Sequence, residues 1–178
     1  MGTTTNILVG AHSSVKMAYW ITGRVAHSTL VDLGFTMGGV TFDPKTELHL
    51  VEVDQHLAHV AAEPRLREAE VKFKLLEATP ENIRIALAQP LTNITGTPPD
   101  VTLSFDADAP AQYYQLQFAG KGHGTTAVRT WTFWRTYIKA ITGYQMGKDT
   151  EQALDVTVGI LQETTGSGTA SLGKLVET

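Results

Sequence analysis

The amino-acid sequence predicts a mainly β fold, a β-sandwich or barrel of about seven to nine strands with one flanking α-helix. Three observations carry that expectation. Residues 68–77 read EAEVKFKLLE, which sets Ala69, Val71, Phe73 and Leu75 on one face and Glu68, Glu70, Lys72 and Lys74 on the other. A period of two marks a strand with one wet face. Residues 151–162 repeat the pattern, Leu154, Val156, Val158 and Ile160 facing a core while Glu151, Asp155 and Thr157 face away. Only one stretch carries a full set of helix-start signals. The Thr79 hydroxyl can cap free N–H groups, Pro80 suits the first helical position, and Glu81 lies at the positive end of the helix dipole. Ile83, Ala86 and Leu87 then form an apolar stripe that Pro90 cuts off, so Thr79, Ile83 and Leu87 are expected to dock the helix.

From the N-terminus, residues 6–9 and 15–20 are predicted strands. With the Thr/Gly/His/Ser-rich connection at 22–29 they make an arm, residues 1–29. A strand begins at 40–42, turns at Asp43-Pro44-Lys45 and resumes at 47–54, and Glu63-Pro64-Arg65 is expected to break the returning strand. Residues 44–64 thus read as a long hairpin. Leu48, Leu50, Val51 and Val53 spread over both of its faces, so it is expected to be covered by a neighbouring subunit rather than by the core of its own chain. After the helix, residues 91–100 read as a Thr/Pro/Gly linker. Strands resume at 101–106, 112–118 and 129–141, with GKGHGT at 120–125 as a flexible hairpin tip. The Gly/Ser/Thr-rich residues 164–178 are expected to form a mobile tail, leaving 1–163 as one domain.

Composition limits the function classes. With 178 residues, 42% of them hydrophobic, the chain can bury one substantial core. Fourteen basic against eighteen acidic residues leave a net charge of −4, which gives no basic footprint for gripping a nucleic acid. Cysteine is absent, so neither a disulfide framework nor thiolate chemistry is available. No apolar run approaches the roughly 18 residues of a spanning helix, and no membrane insertion is expected. The start, MGTTTNILVG, lacks the basic end and long apolar core of a signal peptide.

Catalytic and cofactor patterns are weak. Asp54, His56 and His59 gather in DQHLAH, but on a strand positions 56 and 59 point to opposite faces, and exposed loop histidines are the simpler reading. His12, His27 and His49 have no partner at a ligating spacing. GKGHGT lacks the order of a phosphate-binding loop and no helix pattern follows it. Ser13, Ser14 and Ser28 lack the context of a catalytic serine. The expectation is a protein without cofactor or metal that is not an enzyme.

Surfaces are more informative. Residues 129–141 are predicted to put Trp131, Phe133 and Tyr137 on one face and Trp134 and Ile138 on the other, more apolar surface than one side of a lone domain uses. Self-association follows as the expectation, with Trp131 and Trp134 joining Leu48, Leu50, Val51 and Val53 as candidate subunit contacts. The faces carrying Glu68 and Glu70, and Glu151 and Asp155, are polar enough to line water.

The residues also resemble a family, the major tail tube proteins of long-tailed bacteriophages. The resemblance lies in an order of features spanning about residues 30–163. Leu33-Gly34-Phe35-Thr36-Met37-Gly38-Gly39-Val40 leads into a strand, Val51-Glu52-Val53-Asp54-Gln55 precedes a return strand, and Leu76-Glu77-Ala78-Thr79-Pro80-Glu81-Asn82 enters the helix. The resemblance implies a β-sandwich whose strands join those of neighbours into six-membered rings, stacked as a tube that conducts the genome. It implies a place in the virion tail, assembly in the host cytoplasm, and tape-measure, tail-tip and tail-terminator proteins as partners. In such a lumen Glu68, Glu70, Glu151 and Asp155 would keep double-stranded DNA moving, because acids offer a polyanion no holding contact. A tube protein of a contractile injection or type VI-like secretion system and a monomeric β-sandwich binding module are the alternatives.

Overall fold

The structure, a computed structural model, describes residues 14–21, 23, 29–52, 61–122, 127–142, 153–164 and 171–178. The predicted strand at 6–9, most of the arm, Asp54, Val53, Glu151 and all the histidines except His49 lie outside them. The described elements, in chain order, are β1 (Ser14–Tyr19), β2 (Val31–Asp32), β3 (Thr36–Val51), β4 (Ala61–Leu75), α1 (Pro80–Ala86), β5 (Ile94–Thr97), β6 (Asp100–Leu103), β7 (Tyr114–Lys121), β8 (Val128–Thr142), β9 (Leu154–Leu161) and β10 (Gly173–Glu177). The fold is mainly β with one flanking α-helix, as the alternation predicts. One antiparallel sheet runs β2-β1-β7-β8-β9-β4-β3, and β5 and β6 form a separate hairpin. Among the described residues the sheet does not close into a barrel, because β2 and β3 remain its two edges.

The long strand β8 joins two halves. Its first part, from Val128 to Thr136, pairs with β7, and its second part, from Arg135 to Thr142, pairs with β9 on the opposite edge. Where β9 leaves that edge, β10 takes it over, Gly173 opposite Phe133 and Glu177 opposite Arg129. The alternation along β8 is broken at Trp134 and Arg135, which both fall between the pairs Leu116–Phe133 and Tyr114–Thr136. A bulge of this kind bends a strand and resets which side chains face inward. The predicted division of aromatics is corrected accordingly: Ile138 packs on the core together with Trp131, while Tyr137 crosses to the other face and covers Gly159. Trp131 lies in a ring cluster with Phe42, Phe118 and Phe133, centroids 5.2 to 6.3 Å apart. Trp134 is buried to 6% exposure under the Lys174 ammonium of β10. Both tryptophans are therefore engaged within the chain, not held out as bare contact surface.

Helix α1 begins as its residues dictate. Thr79 caps it, its Oγ1 accepting from the Asn82 N–H at 3.2 Å, and Pro80 opens the first turn. Its buried side chains are Asn82, Arg84, Ile85 and Ala86, with Ile83 partly buried against the core, whereas Leu87 is 39% exposed. Docking through Leu87 is thus corrected. The helix ends at that residue, and polar side chains occupy the inward positions because each finds partners. Asn82 donates to the carbonyls of Leu33 and Glu77 at 2.9 and 2.8 Å. Arg84, 1% exposed, pairs with Glu81, donates to Tyr19 Oη and the Gln89 carbonyl, and lies over the Tyr19 ring. A buried guanidinium is tolerable when its N–H groups are spent in this way. Beside it the Tyr114 hydroxyl, dry and without a partner, has its pKa pushed up to about 12 by burial.

Three breaks expected from proline and composition are absent. β3 runs straight through Asp43-Pro44-Lys45, Pro44 standing opposite Ala69. Pro44 is accommodated because β3 is an edge strand, where a missing N–H interrupts no ladder. β4 continues through Pro64 with only a register shift opposite Glu47 and Leu48. The supposed linker at 91–100 holds a short 3-10 turn and strand β5, tied down by the Gln89 side chain, which accepts from Asn93 and Asp106 and donates to the Asp106 carbonyl. The supposed mobile tail, 164–178, is also corrected. Its described end, residues 171–178, returns to the sheet as β10, and Glu163 and Ser171 form a bridge on the way.

Candidate assembly surface

Three features set this sheet apart from a self-contained sandwich: a projecting ribbon, a free strand edge and a face of interleaved charges. β9 pairs with β4 only at residues 69–75, yet β3 and β4 stay paired from Thr36–Leu75 out to Val51–Ala61. Residues 45–51 and 61–68 therefore leave the sheet as a two-stranded ribbon about 23 Å long at the rise of an extended strand. Among the described residues nothing covers it. Leu48 and Leu50 are 56% and 45% exposed, and Val51 is half-buried. The hairpin predicted at 44–64 falls on this ribbon, with residues 53–60 outside the described residues.

The free edge of β3 is the second of these features. Among the described residues β3 has β4 as its sole ladder partner, so the other side of the strand beyond Thr36 is a sheet edge. Natural sheets usually blunt such an edge. Here a bulge at Gly38 and Gly39, both at positive φ with open space where a Cβ would stand, interrupts it near its start, and Pro44 removes one donor. Beyond Pro44 the edge runs on into the ribbon.

The outward face of β3, β4, β9 and the end of β8 carries Glu68, Glu70 and Asp155, three of the four acids singled out from the sequence. Glu68 and Asp155 are exposed; Glu68 stands opposite Lys45, and Asp155 lies between Lys74 and Thr142 in the register. Glu70 behaves differently. Its side chain is 7% exposed beneath three half-exposed lysines, Lys45 from β3 at 3.3 Å, Lys72 at 3.5 Å and Lys139 from β8. Hydrogen bonds from Lys139 and Lys45 hold its pKa down at about 2, and the same contact raises that of Lys139. Asp43 also lies opposite Glu70. Counted across the face, Asp43, Glu68, Glu70 and Asp155 meet Lys45, Lys72, Lys74 and Lys139, so the surface is balanced rather than acidic. Alternation along β4 shows that these residues share a face. What it does not show is that three lysines converge on one carboxylate, because two of them lie on other strands.

Chemistry of other kinds finds little here. Among the described residues no three His, Cys, Asp or Glu gather to hold a metal, and no helix is long and apolar enough to cross a membrane. The Asp54–His56–His59 group lies outside the described residues.

No protein-family profile matches the chain, and no curated protein matches its sequence. Solved structures do. A chain in the cryo-EM structure of the anti-feeding prophage baseplate, six-fold symmetrised, superposes with a TM-score of 0.51 over 98% of this chain and 97% of that one, at 8% identity. At that identity the likeness is one of fold: this chain shares its architecture, nearly end to end, with a component of a phage-tail-like particle.

Proposed function

We propose that the chain is a structural subunit of a phage-tail-like particle, and that its copies join into hexameric rings stacked as a hollow tail tube for genome delivery. The observation that carries the reading is the β3–β4 ribbon, which leaves its own sheet with apolar side chains bare and an unpaired backbone edge. A strand of that kind gains most of its stability from a neighbour. The fold likeness to a baseplate chain and the sequence resemblance to tail tube proteins support the same reading. The balanced face of Glu68, Glu70 and Asp155 is proposed to line the lumen, where paired charges neither grip nor repel a sliding duplex strongly. The chain is proposed to act without catalysis, in the particle's tail, with tape-measure, tip and terminator proteins at the tube ends. A second reading, a subunit of the end assembly, is favoured by the baseplate origin of the structural neighbour.

Purified protein examined by negative-stain microscopy and sedimentation should form rings or tubes. Replacing residues 46–66 by a short Gly-Ser linker should leave a folded monomer and abolish assembly, because the core strands and the Lys45–Glu70 contact are untouched. Tubes of indefinite length support the tube, and closed rings alone support the end assembly. A linker variant that still assembles would sink the proposal.

A further inference from the structure

On the same outward side, at the bulge of β8, one arginine has no counter-charge. The Arg135 guanidinium sits 4.2 Å from the ring centre of Tyr113 and 4.7 Å from that of Trp20. Those two rings stand edge to face, 84° apart, and the Trp20 N–H is fixed to the Tyr113 carbonyl at 2.9 Å. The corner therefore comes from the end of β1, the start of β7 and the bulge within β8. Among the described residues Arg135 has no ion pair and no hydrogen bond. Its Nε is buried without an acceptor, and so is the indole Nε1 of Trp20 beside it. A buried donor without an acceptor is costly, so the unspent N–H groups favour a partner. Stacking on two rings restrains it while leaving its hydrogen-bonding capacity unused.

We infer that this corner receives a carboxylate from the ribbon of a neighbouring copy, Glu47 or Glu63, in the assembly proposed above. The partner's chemistry follows from the donors: a planar fork of N–H groups matches a planar carboxylate in a bidentate pair. The source follows from charge and position. The chain carries four more acidic than basic residues, and Glu47 and Glu63 are exposed on the ribbon, which runs away from its own sheet. Arg135 lies opposite Leu161, the last residue of β9, and so stands in the row where the ribbon leaves the sheet. A ribbon arriving from another copy along that side would meet it. The inference rests on the ribbon being an assembly element, and it adds the residue that receives it.

A charge exchange tests it. Arg135→Glu should keep the thermal midpoint of the monomer within a few degrees and weaken association about tenfold or more, as should Glu47→Arg combined with Glu63→Arg. Combining all three changes in one chain should restore assembly, which a purely structural role for Arg135 would not. Arg135→Lys should assemble weakly, because an ammonium cannot form the fork. Assembly of Arg135→Glu at wild-type affinity, or failure of the combined variant to recover it while the monomer remains folded, overturns the inference and leaves the proposed function standing. A wild-type chain that never associates removes both.

Discussion

At the scale of single residues, Glu70 shows how an outward-facing acid can be structural. A carboxylate in water beside one lysine contributes little, because solvent screens the pair. Glu70 instead lies under lysines from β3 and β8, and so ties the strand at the root of the ribbon to the strand at the far side of β9. Its folded pKa, lowered from 4.5 to about 2, fixes the sign of the effect. Because the folded value lies below the unfolded one, the contribution is complete above pH 4.5 and is lost as pH falls from there towards 2. Thermal unfolding of the subunit should therefore show a stability that declines through that window. In Glu70→Gln the decline should be shallower and the ribbon amides near Lys45 should exchange faster. An unchanged pH profile in the variant would mean that the lysine contacts do not persist in solution. Gly159 is constrained by the same face: a Cβ there would stand 2.5 Å from the Tyr137 ring, so a larger residue would push that ring out of the depression it lines beside Glu70.

At the scale of elements, legibility followed locality. Strands β4, β7 and β9 and the start of α1 were readable because alternation and capping are encoded within a few neighbouring residues, as in EAEVKFKLLE and Thr79-Pro80-Glu81. The Arg84–Glu81–Tyr19 cluster was not, since it depends on a tyrosine 65 residues away. Prolines misled where the sheet neutralised them: Pro44 looks like a turn and is an edge-strand residue. The C-terminal strand was hidden by averaging. Gly, Ser and Thr concentrate at 164–173, and the lone apolar pair Leu175-Val176 between Lys174 and Glu177 disappears in that background. Its role can be measured. β10 pairs five residues with β8, covers Trp134 with Lys174, and links Glu177 to Arg129. Deleting residues 172–178 would strip β8 of a partner over Arg129–Phe133 and bare Trp134. The thermal midpoint should fall by roughly 5 °C or more, equivalent to a loss of about 2 kcal/mol. A truncated chain that melts with the full-length protein would show that the sheet is complete without β10.

At the scale of the whole molecule, the proposed function asks one sheet to serve both a tight assembly and a loose passage. The inner face is apolar and closed by its own aromatics, so the proposed assembly would use edges and projections, which β3 and the ribbon offer. The outward face is left for water. Its four acids and four lysines cancel within each copy, which makes its electrostatic character easy to tip without touching the core. Glu68→Lys together with Asp155→Lys would change each copy by +4, and the proposed six-membered ring would multiply that to a dense positive band. Both side chains are exposed, so the subunit should still fold and assemble. If the face lines the lumen, DNA should be retarded, since each added lysine offers the backbone a phosphate contact whose strength falls steeply with salt. Fluorescence-monitored genome release from particles built with this subunit should slow at low ionic strength and recover as salt is raised. Release at the wild-type rate from intact particles at every salt concentration would place the face on the outside of the tube, and the ribbon edge would then have to join its neighbours with the opposite side of the sheet turned inward.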